Sequence, residues 1–159
     1  MNNADKNTTI KQKDLNLMKK ACLLCDQATC MYKTACLAVK NGKVIVSAYN
    51  ETLPGEKYCQ DGECIRKKLS LTNGADIGKV CSIHAEVNLI AKAAASGLCL
   101  KDSTIYVTTF PCYVCSKSLV QARINYLYYM SDYACNEGGC FFKAADIPIF
   151  KIPEEKVWQ

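Results

Sequence analysis

Residues 103–130, STIYVTTFPCYVCSKSLVQARINYLYYM, decide the architecture. Ser103–Thr108 is rich in β-branched and aromatic residues, the composition of a strand. Pro111 lacks a backbone donor and ends that run. A helix is expected from about Cys112 to Arg123. Ile124–Met130 returns to strand composition.

The same alternation continues on both sides. His84–Ala95 has Val87, Ile90, Ala91 and Ala94 on one helical face. Ala35–Val39 and Lys43–Tyr49 read as two strands joined at Asn41-Gly42, a strong hairpin signal. Lys11–Ala28 has helical spacing at Leu15, Met18, Cys22 and Cys25. Downstream, a helix over Glu137–Ala145 leads to a strand over Pro148–Ile152. Strands alternating with helices after an opening hairpin indicate an α/β layered domain with a mixed sheet. One domain is expected over residues 1–159. Residues 1–10 are expected to form a polar, flexible tail, and 50–83 a cysteine-containing insert with no long periodic pattern. Such a stretch is too long for an ordinary connection and needs something to hold it.

Composition narrows the class. Half of the 159 residues are hydrophobic, enough for a real core. No apolar run approaches a membrane span, and Met1–Lys13 lacks the apolar core of a signal peptide. A cytoplasmic protein is expected. Twelve cysteines are many for that compartment, where thiols stay reduced. An excess there points to metal binding or catalysis. The formal net charge of +5 suits a phosphorylated substrate and equally suits plain solubility. Arg66-Lys67-Lys68 reads as a short solvated run, and no basic stripe with interleaved aromatics suggests nucleic acid.

The one histidine sits in His84-Ala85-Glu86, and Pro111-Cys112-Tyr113-Val114-Cys115 follows. One imidazole and two thiolates suit a catalytic zinc, which takes three protein ligands and leaves a fourth position to water. Cys112 and Cys115 are one helical turn apart and open a helix, where free N–H groups stabilise thiolates. His84 and Glu86 point in roughly opposite directions on an ideal helix. Both can face one metal only if His84 lies at an irregular helix start.

His-x-Glu followed by Pro-Cys-x-x-Cys is the known signature of zinc nucleobase deaminases. His84–Asn88 and Tyr106–Cys115 resemble the core of the deoxycytidylate (dCMP) deaminase family, and Ala48-Tyr49-Asn50 resembles its Gly-Tyr-Asn-Gly. The similarity covers roughly residues 15–152. It implies a three-layer cytidine-deaminase-like fold with a mixed five-stranded sheet and helices on both faces. It also implies hydrolytic deamination of dCMP to dUMP, with Glu86 moving protons. By the same resemblance Ala85 N–H contacts the base and Asn50 the sugar, and the chain forms a homo-oligomer. Glu51 departs from the family, which usually has glycine there, and brings a negative charge near the substrate loop. Tyr133 is a further candidate substrate contact, and Lys33 a candidate phosphate contact.

Some relatives carry a second, structural zinc, and the resemblance places Cys30, Cys59, Cys64 and Cys81 on it. A closed four-cysteine site would fix the long insert. Cys22-x-x-Cys25 competes for that role, though its helical pattern favours packing. Cys36 and Cys99 read as structural, and Cys135 and Cys140 as packed or exposed thiols. Tyr126, Tyr128 and Tyr129 read as core and edge residues. The expected partner is a small pyrimidine nucleotide. The alternatives are another nucleobase or nucleoside deaminase, acting on tRNA adenosine, guanine or deoxycytidine, or a non-enzymatic zinc module in DNA uptake.

Overall fold

A computed structural model describes residues 10–55, 64–71, 78, 80–134 and 137–159. The chain runs α1 (Gln12–Leu24), β1 (Ala35–Lys40), β2 (Lys43–Tyr49), β3 (Glu51–Thr52), α2 (Ile65–Lys68), β4 (Ser82–Ile83) and α3 (Ala85–Ala95). It continues through β5 (Thr104–Thr109), α4 (Tyr113–Gln121), β6 (Tyr126–Ser131), α5 (Gly139–Ala144), β7 (Ile149–Lys151) and α6 (Glu154–Val157).

Five strands form one sheet in the order β2-β1-β5-β6-β7. β1 is antiparallel to β2 and β5, whereas β5, β6 and β7 are parallel. The hairpin between β1 and β2 turns on Asn41 (φ 51°) and Gly42 (φ 75°). Two positive φ angles make a type I′ turn, whose twist matches that of the strands.

Side-chain alternation splits the interior into two layers. Cys36, Ala38, Ile105, Val107 and Leu127 face α3, α4 and α5, meeting Leu89, Ala93, Leu119 and Phe142. Their neighbours Leu37, Val39, Tyr106 and Tyr128 face α1 and α6, meeting Met18, Ala21 and Val157. Helices therefore cover both faces, as a sheet with parallel strands requires. On the α1 side, Tyr106 donates to the buried Asp14 carboxylate at 2.7 Å.

Several boundaries shift by a few residues from the sequence reading. α1 ends at Leu24, and Cys25–Gln27 tightens into a 3₁₀ turn. α3 and α4 begin one residue late, with His84 and Cys112 as their N-caps. Within the insert, β3 pairs with β4 as a separate two-stranded ribbon. This ribbon brings the chain directly to His84. No helix among the described residues is long and apolar enough to cross a membrane.

Candidate functional site

Two helix starts meet beside the end of β5. His84 has extended backbone angles (φ −67°, ψ 147°) and precedes the first turn of α3, and its carbonyl accepts from Asn88 N–H at 2.9 Å. That is the irregular start needed for His84 and Glu86 to share one side. Cys112 caps α4 in the same manner (φ −61°, ψ 167°), and its sulfur accepts from Cys115 N–H at 3.5 Å.

His84 Nδ1 lies 3.5 Å from both Cys112 Sγ and Cys115 Sγ. All three donor atoms fall within 4.8 Å of one another. A tetrahedral zinc with ordinary Zn–S and Zn–N bonds would separate sulfur from nitrogen by about 3.6 Å, so the donor set fits that metal. A hydrogen bond from Cys115, together with His84, holds the Cys112 thiol well below the usual range. The same bond and burial push Cys115 up. The Cys112 contact is also the main cause that raises His84.

Glu86 is only 4% exposed. Burial raises its carboxyl above the ordinary range, opposed by its own backbone N–H and by the charge of His84. A buried carboxyl beside a metal-donor triangle is suited to taking up and releasing protons. Beneath it, the buried Cys36 thiol donates to Ala85 O at 3.1 Å and ties the start of α3 to the sheet. Ala85 occupies the first helical position, where a backbone N–H has no intrahelical acceptor.

A cavity of about 370 Å³ opens over this triangle, lined by His84, Ala85, Glu86 and Cys112. That volume lies within the usual range for small-molecule sites. Asn50 and Tyr133 line it too, as does Lys33. Asn50 already has work to do: its Oδ1 accepts from Thr34 N–H at 2.8 Å, and its Nδ2 donates to Tyr32 O. It therefore clamps the loop that carries Tyr32 and Lys33, leaving one lone pair and one N–H for a ligand. Burial raises the Tyr133 phenol, and the charges that reach it include Cys112, Arg66 and Glu86.

Glu51 points elsewhere. Its carboxylate accepts from Asn88 Nδ2 at 3.1 Å and pairs with Lys92 at 3.2 Å. Lys92 also lies 5.0 Å from the centre of the Tyr49 ring. Asn88 donates to Tyr49 O at 2.9 Å, so it braces β2 against α3 rather than lining the cavity.

Cys30, Cys64 and Cys81 all line the cavity, and Cys59 lies outside the described residues. Among the described residues, His84, Cys112 and Cys115 are the one compact group of three metal donors. Cys22 and Cys25 rest on the sheet, against Met130 Sδ (3.7 Å) and Thr108 Oγ1 (3.6 Å). Burial pushes the Cys22 thiol up to about 11, which disfavours a thiolate ligand. Cys99, read as structural from sequence, is exposed just past the end of α3. Cys140 is exposed and Cys135 lies outside the described residues. Arg66 corrects the reading of a solvated run. Lys67 and Lys68 are exposed, but Arg66 is half-buried and lines the cavity. Three adjacent basic residues on one helical turn point in different directions, and the sequence carried no mark of which one turns inward.

Residues 11–131 match the cytidine and deoxycytidylate deaminase zinc-binding region. The chain belongs to this family. It is 32% identical over 117 residues to ComE operon protein 2 of Bacillus subtilis, covering 73% of this chain and 58% of that protein. It is 28% identical over 121 residues to the deoxycytidylate deaminase of Schizosaccharomyces pombe, covering 76% of this chain and 37% of that one. The chain thus spans little more than half of one relative and under half of the other. The dCMP deaminase of cyanophage S-TIM5, solved in complex with dCMP and dUMP, superposes with a TM-score of 0.67. That match has 26% identity and covers 85% of this chain and 93% of the phage chain. The mixed five-stranded sheet with helices on both faces is the shared fold.

Proposed function

We propose that this family member hydrolyses dCMP to dUMP and ammonia. The observation that carries the reading is the buried Glu86 beside the His84–Cys112–Cys115 triangle, on the wall of a cavity of nucleotide size. The choice of dCMP is supported by the deoxycytidylate deaminases among its relatives and by the phage enzyme seen with dCMP and dUMP.

Bound at His84, Cys112 and Cys115, zinc supplies Lewis-acid activation of water. Glu86 handles the protons. Its carboxylate accepts one from the attacking water and passes it to ring N3 as the water oxygen joins C4. It then carries the second proton to the amino group, which leaves as ammonia when the C4–N bond breaks. In this reading Ala85 N–H holds the base carbonyl and Tyr133 walls the base in. Asn50 offers its remaining donor or acceptor to the sugar.

We also infer a second zinc, structural, on Cys30, Cys59, Cys64 and Cys81. Its support is the gathering of Cys30, Cys64 and Cys81 on one cavity. The second reading is a zinc-stabilised module without catalysis, kept because one relative, ComE operon protein 2, bears a name that states no activity. Glu86 separates the two, because a purely structural metal has no use for a buried carboxylate at its edge. Ammonia release from dCMP, deoxycytidine, CMP and guanine by zinc-loaded protein is the test. Activity highest on dCMP supports the proposal, activity on guanine or deoxycytidine alone replaces the substrate, and no activity on any leaves the module.

A further inference from the structure

The cavity wall carries two cations that the triangle does not explain. α2 is a single turn, and Arg66 on it places its guanidinium carbon 5.8 Å from the centre of the Tyr32 ring. Tyr32, Lys33 and Arg66 line the cavity together. The Tyr32–Thr34 loop is pinned from below by Asn50, so Lys33 is presented from a held backbone.

The charges around it are consistent with an anion. Among the described lining residues, the carboxylates are Glu86 and Asp132. Glu86 sits by the metal donors, and Asp132 accepts from Lys151. Glu51, which threatened repulsion on sequence grounds, is turned to Lys92 and Asn88. Two side-chain cations, from two segments far apart in sequence, therefore line the same cavity as the triangle.

We propose that Arg66, braced on Tyr32, and Lys33 form an anion-reading rim that receives the 5′-phosphate of the nucleotide. This rests on the dCMP reading above. Arg66 is then the residue that separates a nucleoside monophosphate from its nucleoside, and the insert is part of the substrate site.

Deoxycytidine carries the same base and sugar without the phosphate, so the test is a ratio. In zinc-loaded full-length protein, kcat/KM for dCMP over that for deoxycytidine should fall roughly ten- to hundredfold in Arg66→Gln, the size expected for losing a charge-assisted contact. The fall should sit mainly in KM. Arg66→Lys should recover part of the ratio. Inorganic phosphate should compete with dCMP in the wild type and much more weakly in Arg66→Gln. Lys33→Met, on a loop outside any helix or strand, should lower the ratio less and provides the reading if Arg66→Gln does not fold. A wild-type preference for dCMP that survives in both variants overturns the rim alone. A wild type with equal rates on the two substrates overturns the dCMP reading and the rim with it.

Discussion

At the scale of single residues, the site depends on backbone angles at two positions. His84 and Cys112 are extended, not helical, and that lets a histidine, a glutamate two residues on and a Cys-x-x-Cys pair converge. Glu86→Gln keeps the shape and removes the proton carrier. Turnover should fall by about 10²–10⁴ or more, with zinc content and melting temperature near those of the wild type. Near-normal rates in that variant would refute the proton-transfer role. Glu51→Gln tests the opposite expectation. The Glu51–Lys92 pair is 36% and 41% exposed, so its loss should cost well under about 1 kcal/mol. The carboxylate faces away from the cavity, so kcat/KM for dCMP should stay within about twofold. The metal donors were legible because residue type and spacing carry the chemistry directly. The direction of Glu51 was not, because a two-residue strand is too short for side-chain alternation to show which way it points.

Elements were legible where the pattern was long. The hairpin at Asn41-Gly42, the alternation through β5 and β6, and the apolar face of α3 each repeat over several residues. β3, β4 and α2 have two, two and four residues, too few for any period to show. β3 and β4 exist because Glu51 and Thr52 pair with Ile83 and Ser82, and Asn50 fixes the chain just ahead of them. The junction of α4 and α5 was also invisible in sequence. A Cβ on Gly138 would meet Ser116 Oγ at 2.2 Å and Ser116 Cβ at 2.9 Å. Ser116 in turn donates to Pro111 O at 3.2 Å, one residue before Cys112. Gly138→Ala should therefore destabilise the chain by about 1–3 kcal/mol in urea unfolding. It should also weaken zinc retention, measured by competition with a chelating dye, because the displaced Ser116 borders the metal ligands.

For the molecule as a whole, zinc stoichiometry is the simplest number to obtain. Protein purified without added zinc should carry about two ions per chain if Cys30, Cys59, Cys64 and Cys81 ligate, and about one if they do not. Cys64→Ser should then lower the melting temperature and reduce the count by one, leaving the ion at His84 in place. The layered fold itself was readable from the order of strands and helices. What the chain order could not show was that the insert returns to the site, bringing Cys64, Cys81 and Arg66 to the cavity that Cys30 also lines.

The meeting of the two helix caps also has a mechanical side. His84 is 28 residues from Cys112 and 31 from Cys115, and β5 lies between them. An ion gripping both ends acts as a removable tie around the central strand of the sheet. Closing a loop of that length takes about 3–4 kcal/mol of chain entropy out of the unfolded state, by the arithmetic used for covalent cross-links. Stripping the metal should therefore loosen the middle of the molecule before its edge. Amide hydrogen exchange after chelation should speed up more in β5 than in β7, and adding zinc back should slow it again.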